Sequence, residues 1–210
     1  QRYIGTDLNR TIHIDIFGTP GNDLGSFMDG PRIVVHGNVQ DGCGNTMNGG
    51  EIIIHGHAGD IAGFSMRGGK IFIRDDVGYR VGIHMKEYKN KKPLLVIGGS
   101  AQDFLGEYMA GGTIVLLGLT LDNGAKHLTN FIGTGMHGGI IYLRGQVEDY
   151  QLGKEVGVVE LTDEDRSFLK ECVGQYAVRF GADASKILND GEFLKLIPVS
   201  KRPYGKLYAY

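Results

Sequence analysis

The feature that most constrains this sequence is a repeat built around its methionines. All six occupy the same place in a phrase of the form Gly-x-x-Met-x-Gly-Gly-x-Ile-x-Ile, and they lie 19, 19, 19, 24 and 27 residues apart. They are Met28, Met47, Met66, Met85, Met109 and Met136. A glycine precedes each methionine by three residues, and a pair of aliphatic residues, two positions apart, follows it. A fixed period of this kind predicts a solenoid of stacked units.

The length of the unit indicates which solenoid. Helix-pair repeats need about 33 residues or more, whereas 19 residues accommodate a short strand and its turns. The aliphatic residues alternate with period two, as in a strand with one buried face. Glycine, 35 of the 210 residues, would occupy the corners, for example at Gly42, Gly56 and Gly59, where a positive φ or a close backbone approach excludes a Cβ. The prediction is an all-β solenoid, a parallel β-helix of about seven coils.

The methionines themselves allow two interpretations. A thioether side chain with three rotatable bonds fills an irregular, narrow core, and thioethers also suit soft metal ions. Because the methionines recur in every unit beside aliphatic residues, the core interpretation is favoured. The six side chains are therefore expected to form a buried column.

The repeat defines a predicted β-helix domain over residues 1–150. Residues 1–10 form a polar lead-in to it. Ile14 and Ile16 fit the strand of a first coil, in which Asn9 takes the methionine position.

Two insertions account for the two longer steps between methionines. The first, Lys86–Lys92, carries four lysines that are suited to steering an anionic partner, or it is a solvated loop. The second runs from Leu119 to about Asn130 and contains the turn signal Asp122-Asn123-Gly124. Insertions in repeat proteins often collect on a binding face, so both loops are candidate contact sites.

Residues 151–210 lack the repeat and are predicted to form a helical cap with an extended tail. Thr162 is a suitable helix N-cap that precedes three acidic residues, and Gly181 ends the helical spacing. The further predicted segments are a second short helix over 182–189, an extended segment over 193–198 and a tail over 201–210. The two short helices either cap an open end of the stack or lie along one flank.

One outward-facing column of residues is expected to need a cover. The residue between the two aliphatic residues of each pair should point away from the core. These residues are Val34, Ile53, Phe72, Val96, Val115 and Tyr142, and all six are apolar. A continuous apolar column is expected to be shielded from water, either by the C-terminal helices or by another subunit.

Several residues suggest chemistry, but each has a plainer explanation. His36, His55 and Arg74 occupy equivalent places in successive units, with His57 nearby, yet no cysteine or carboxylate recurs beside them as a metal ligand. Asp75 and Asp76 are adjacent, and neighbouring residues of a strand point to opposite faces. These residues are therefore expected to be structural.

The segment Gly133-Thr134-Gly135-Met136-His137-Gly138 matches Gly-x-Gly-x-x-Gly, but it lacks the strand–helix context of a dinucleotide site. Two cysteines cannot hold an iron–sulfur cluster alone. No catalytic, cofactor-binding or metal-binding residue is predicted in this chain.

Composition excludes several classes of partner. The net charge of −2 and the pI near 6.4 do not indicate nucleic-acid binding. No apolar run approaches the 18 residues of a membrane span. Cys43 and Cys172 lie far apart, which favours a reduced, cytoplasmic chain over a disulfide scaffold.

The repeat, most clearly Phe104–Gly118, resembles the C-terminal domain of the glutamate synthase large subunit. The segments Glu160–Asp165 and Ala184–Leu188 resemble that domain's terminal helices. The resemblance covers nearly the whole chain and implies a right-handed parallel β-helix. In that family the domain packs between a glutaminase domain and a synthase domain that carries FMN and an iron–sulfur cluster, and it has no catalytic residue.

This resemblance implies a non-catalytic scaffold subunit of a glutamate synthase-like complex, separately encoded or excised. The amidotransferase cysteine and the cluster cysteines have no counterparts here, so FMN and the cluster are expected in partner subunits. A related repeat occurs in the C subunit of formylmethanofuran dehydrogenase, which is the alternative. Self-association is a further expectation.

Overall fold

The fold is dominated by one large sheet. A computed structural model of the protein describes residues 1–121 and 125–199. Its strands are β1 (His13–Phe17), β2 (Asp29–His36), β3 (Gly49–Ile54), β4 (Lys70–Ile73), β5 (Leu94–Ile97), β6 (Ala110–Leu116), β7 (Gly138–Arg144), β8 (Val156–Val159) and β9 (Phe193–Pro198). Its helices are α1 (Asp163–Phe180) and α2 (Ala184–Asn189), with a 3₁₀ turn at Asp149–Gln151. The turn signal predicted at 122–124 and the tail predicted at 201–210 lie outside the described residues.

The sheet follows the sequence period. Strands β1 to β7 pair in chain order and in parallel, and β9 and then β8 continue the sheet beyond β7 in antiparallel fashion. Ile14 pairs with Ile33 and Ile33 with Ile52, which keeps the 19-residue step. The longer steps fall between β4 and β5 and between β6 and β7. The insertions therefore lie outside the pairing, and the parallel strands predicted from the aliphatic pairs are confirmed.

A second line of contacts joins the same repeats away from the strands. Val39 bridges Ala58, Ala58 bridges Val77 and Val77 bridges Ala101, all in parallel. Between this line and the strands lies the main core, which includes the aliphatic pairs and all six methionines. Each methionine is at most 1% exposed. The prediction of a methionine core is confirmed.

The first repeat corrects one assignment. The N–H of Asp29 donates to the carbonyl of Leu8 at 2.8 Å, just as the N–H of Asn48 donates to the carbonyl of Met28 at 2.8 Å. Leu8, not Asn9, therefore takes the methionine position. The prediction was wrong because the step from this position to Met28 is 20 residues rather than 19.

The outward column of the strands, here called the strand face, is covered by the chain's own helices. Its members are Val34, Ile53, Phe72, Val96, Val115 and Tyr142, each at most 6% exposed. Phe72 to Tyr142 form a second core with Leu169, Val173 and Ile187 of the helices. The Tyr176 hydroxyl donates to the carbonyl of Arg74 at 2.9 Å. Of the two placements that the sequence allowed, the helices adopt the flank.

Helix α1 begins and ends where the sequence indicates. The Thr162 hydroxyl accepts the N–H of Asp165, and the Asp165 carboxylate accepts the N–H of Thr162, which completes a capping box. Gly181 follows the helix with a φ of 68°. With 18 residues, α1 is longer than the short helix expected. The buried Asp165 carboxylate also accepts from the Tyr142 hydroxyl and the Lys195 ammonium, and so fastens α1 to β7 and β9.

The two ends of the sheet differ. The antiparallel pair of β8 and β9 covers β7, and the extended segment predicted over 193–198 corresponds to β9. Strand β8 was not predicted, since Val156–Val159 does not follow the repeat. At the opposite end, β1 pairs with β2 and with no other strand of the described residues. In the same ranges, neither helix is long and apolar enough to cross a membrane.

Candidate functional site

Each repeat contains a turn in which three alternate residues have a positive φ. In the second turn these are Asp23, Gly25 and Phe27, with φ of 61°, 66° and 59°. Seven such turns occur, and their central residues are Gly5, Gly25, Gly44, Gly63, Gly82, Gly106 and Gly133. The left-handed conformation bends the chain sharply and favours glycine, which has no Cβ to clash. The backbone therefore repeats even where the side chains do not.

The central glycine faces the core, and steric contact explains its presence. A Cβ on Gly44 would lie 2.3 Å from Cδ1 of Ile71, and one on Gly82 would lie 2.5 Å from Cδ1 of Ile114. Such approaches are far inside van der Waals contact. The aliphatic residue of a later repeat thus fills the space that a side chain at the centre of the turn would need.

The outer two positions of each turn carry most of the non-glycine residues with positive φ. The first positions are Tyr3, Asp23, Gly42, Ile61, Arg80, Phe104 and Phe131, and the third positions are Asp7, Phe27, Thr46, Ser65, His84, Tyr108 and Gly135. We call these two columns the turn face. A residue with a Cβ pays about 1 kcal/mol or more for the left-handed conformation. Aromatic side chains hold these positions despite that cost.

The aromatic residues of the turn face stack along the repeat axis. The rings of Phe104 and Phe131 stack with centroids 4.8 Å apart, and the guanidinium of Arg80 lies 4.6 Å from the Phe104 ring centroid. The rings of His84 and Tyr108 stack at 5.3 Å. Phe131 is 48% exposed and Tyr108 is 46% exposed. Within residues 1–121 and 125–199, this face is an apolar surface that the chain does not bury.

One ion pair is built into the turn face. The Arg80 guanidinium contacts the Glu107 carboxylate, which is itself buried. The pair holds the Arg80 side chain across the Phe104 ring. Together with the stacked rings, it gives the face a fixed shape rather than a mobile one.

The histidine ladder predicted from the sequence is present and has structural partners. The His36 and His55 rings stack at 5.4 Å, and His36 Nε2 lies 2.9 Å from an Asp15 carboxylate oxygen. The His55 ring packs edge-on against Phe180 at the end of α1. Burial, and then the nearby His36 and Arg74, lower the pKa of His55. These contacts keep His55 neutral and hold it against the helix.

The adjacent acids serve two separate hydrogen-bond sets. Asp75 forms a bidentate pair with Arg74, with both N···O distances at 2.9 Å. Asp76 accepts from the Ser100 N–H at 2.7 Å and from the Thr120 hydroxyl. His57 lies 3.9 Å from Asp75 and 3.8 Å from Asp76. In the described part of the chain, no group of three His, Cys, Asp or Glu residues is arranged to hold a metal ion.

The Gly-x-Gly-x-x-Gly match falls within the seventh turn. Gly133 is its central residue and Gly135 its third, and Met136 follows in the core. The chain then enters strand β7 at Gly138, where a dinucleotide site would begin a helix. The glycines at this point therefore serve the repeat.

A groove at the C-terminal end was not foreseen from the sequence. It has a volume of about 790 Å³ and lies between strands β8 and β9 and the two helices. Leu169, Leu188 and Leu194 contribute apolar walls, and Arg166 and Glu192 contribute charge. The groove went unnoticed because β8 was not predicted. The turn face also went unnoticed, although Gly42 and Gly135 occupy positions that aromatic residues fill in other repeats.

Comparison with known proteins agrees with the turn geometry. The family model described as "GXGXG motif" matches residues 1–199, and three alternate glycines describe the positive-φ positions of each turn. The uncharacterized protein MJ1350 of Methanocaldococcus jannaschii is 51% identical over 214 residues, which span 100% of this chain and 82% of that protein.

A solved structure shares the fold. It is a chain in the crystal structure of the formyltransferase/hydrolase complex (FhcABCD) from Methylorubrum extorquens in complex with methylofuran. The TM-score is 0.62 at 20% sequence identity, and the match covers 93% of this chain and 73% of that chain. At this identity, the likeness extends to the fold alone.

Proposed function

The chain belongs to the GXGXG motif family, the type of domain found at the C-terminus of the glutamate synthase alpha subunit, and on this premise we propose that it is a non-catalytic scaffold. Its partners are the glutaminase and synthase modules of a glutamate synthase-like complex, which forms glutamate from glutamine and 2-oxoglutarate. The FMN and the iron–sulfur cluster lie in those partners. The complex is cytoplasmic.

The observation that carries this proposal is the turn face. Its aromatic side chains occupy a conformation that costs free energy, and they remain about half exposed. Neither property stabilises the isolated chain. A contact with a partner protein would recover both costs by burying rings that are already fixed in place.

The proposed scaffold is a right-handed parallel β-helix of seven coils. Support comes from three contacts that recur between neighbouring repeats: the paired strands, the bridges such as Val39 to Ala58, and the turns, where the N–H of Gly44 donates to the carbonyl of Leu24 at 2.8 Å. Contacts on three sides of each repeat favour a closed coil over an open sheet. A stack of this kind is stiff, as a spacer between modules must be.

The state of the two cysteines supports placing the cluster elsewhere. Cys43 and Cys172 are free and buried. Burial raises the pKa of each thiol to about 12. Cluster ligands are thiolates, and these two groups stay protonated at neutral pH.

The test is co-purification from the native source, followed by flavin absorbance of the complex. We expect glutaminase and flavin-containing synthase modules with the wild-type chain. Phe131→Ala combined with Tyr108→Ala should release them without a large change in melting temperature. Phe17→Ala removes an exposed aromatic residue outside the turn face and is the matched control. Turnover of glutamine by the purified chain alone would contradict the scaffold role, and self-association through the same residues would replace the proposed partners.

A second candidate is a component of a formylmethanofuran dehydrogenase-type complex, analogous to its C subunit. The fold shared with a chain of the formyltransferase/hydrolase complex favours it. The same purification distinguishes the two, since recovery of formyltransferase or hydrolase subunits in place of a glutaminase would support this candidate.

A further inference from the structure

The first insertion is a built loop that is fixed to the repeats on both sides. We call residues Lys86–Lys92 the lysine loop. Tyr88 and Lys91 exchange both backbone hydrogen bonds, at 3.1 and 3.0 Å, around a tight turn in which Lys89 has a φ of 55°. The Glu87 carboxylate accepts the N–H of Gly112 at 3.2 Å. The loop is therefore held in one conformation before any partner arrives.

A long-range ion pair provides the second anchor. The Lys91 ammonium lies 2.8 and 2.9 Å from the two carboxylate oxygens of Asp29, which is 62 residues earlier in the chain. The Lys91 stem crosses Gly68, where an added Cβ would lie 3.0 Å from its own Cβ. The lysine loop thus folds back over earlier repeats and adds its charge to theirs.

The remaining lysines of the loop present positive charge without compensation. Lys86, Lys89 and Lys92 are exposed, and no carboxylate of the described residues forms an ion pair with them. Arg67 lies beside Gly68 at the same corner, and its Nε is buried with no hydrogen-bond partner within 1–121 and 125–199. On a chain with a net charge of −2, this is a local excess of one sign at a fixed position.

We propose that the lysine loop is an electrostatic docking site for an acidic, carboxylate-rich surface of a partner protein. Charge complementarity selects the partner, and the anchored loop lowers the entropic cost of binding. A protein is favoured over nucleic acid because the positive charge is confined to one corner, whereas binding along a phosphate backbone needs a stripe of cationic residues. The inference requires an acidic partner but not the complex proposed above, so either can fail alone.

The experiment uses the full chain and poly-L-glutamate as the probe, with binding measured at low and at high salt. We expect measurable binding that falls steeply with salt. The triple variant K86E/K89E/K92E should weaken binding about tenfold or more. The control K154E/K170E/K186E changes the net charge equally, at exposed lysines elsewhere, and should leave most of the binding intact. Equal loss in both triples would overturn the site, because net charge alone would then explain the binding.

A further variant tests the anchor. Asp29→Asn adds positive charge to the chain but releases Lys91, so the proposal expects weaker binding of poly-L-glutamate. Unchanged or tighter binding would show that charge rather than the built loop is responsible. Tighter binding of a short DNA duplex than of poly-L-glutamate, lost in K86E/K89E/K92E, would overturn the assignment to a protein partner.

Discussion

Two apolar faces recur at the same sequence period, and they differ in what covers them. The strand face, from Val34 to Tyr142, lies under helices α1 and α2 and is buried. The turn face, which includes Tyr108 and Phe131, is half exposed and has no comparable cover in the described chain. Both arise from one repeat, so the difference is not a difference of fold. The chain buries the face that it needs for its own stability and leaves the other open to contact.

The largest expected effect comes from making the same substitution on each face. Phe72→Ala should lower the free energy of unfolding by about 3–5 kcal/mol, because Phe72 is fully buried beneath α1 and packs against the Arg179 guanidinium at 4.1 Å. Phe131→Ala should cost about 1 kcal/mol or less, chiefly its stacking on Phe104. Urea unfolding measures both. Similar losses at the two sites would break the comparison.

The next effect concerns what holds the helices on the strand face. Asp165→Asn removes the buried charge that accepts from Tyr142 and Lys195, and it leaves the Lys195 ammonium without its partner. We expect a loss of about 2–4 kcal/mol. Asp163→Asn in the same helical turn is exposed and should cost at most about 0.5 kcal/mol. Equal costs would mean that the network does not fasten α1.

The period explains how much of this arrangement could be predicted from the sequence. Ile14, Ile33 and their successors predicted the strands, and the methionines predicted the core, because identical positions in a stack share one environment. Thr162 and Gly181 marked the ends of α1 through local hydrogen bonding and backbone conformation, which need no tertiary information. Local and periodic signals were sufficient for these elements.

The remaining features depend on contacts that no period encodes. The apolar strand face showed that a cover was needed, but Phe72 alone could not distinguish a helix of the same chain from another subunit. Strand β8 has no repeat, and its pairing with β9 joins distant segments. Leu8 was missed by one residue because a register argument assumes a constant step. The turn face required the φ values, since its aromatic residues occupy glycine positions.

Acid should loosen the cover of the strand face. Burial opposes the charge of Asp165, but hydrogen bonds from Lys195, Tyr142 and Thr162 outweigh it and hold the pKa of this carboxyl well below its usual value. A group with a depressed pKa in the folded state stabilises the fold above its unfolded pKa, about 4, and loses that contribution as the pH falls. We expect the urea midpoint of the wild type to fall more between pH 6 and about pH 3 than that of Asp165→Asn. Parallel curves would exclude Asp165 as the source.

The smallest effect separates the conformation of the turn face from its side chains. Tyr108 and Tyr79 are 46% and 48% exposed, but only Tyr108 has a positive φ, of 52°. Tyr79→Gly should lower the free energy of unfolding by about 0.5–1 kcal/mol, the cost of the added backbone entropy. Tyr108→Gly relieves a left-handed residue, which offsets that cost and the lost stacking on His84, so we expect a change within about 0.5 kcal/mol. Thermal unfolding of the two variants side by side measures the difference. If Tyr108→Gly were the more damaging change, the ring would already stabilise the isolated chain, and the turn face would need no partner to explain it.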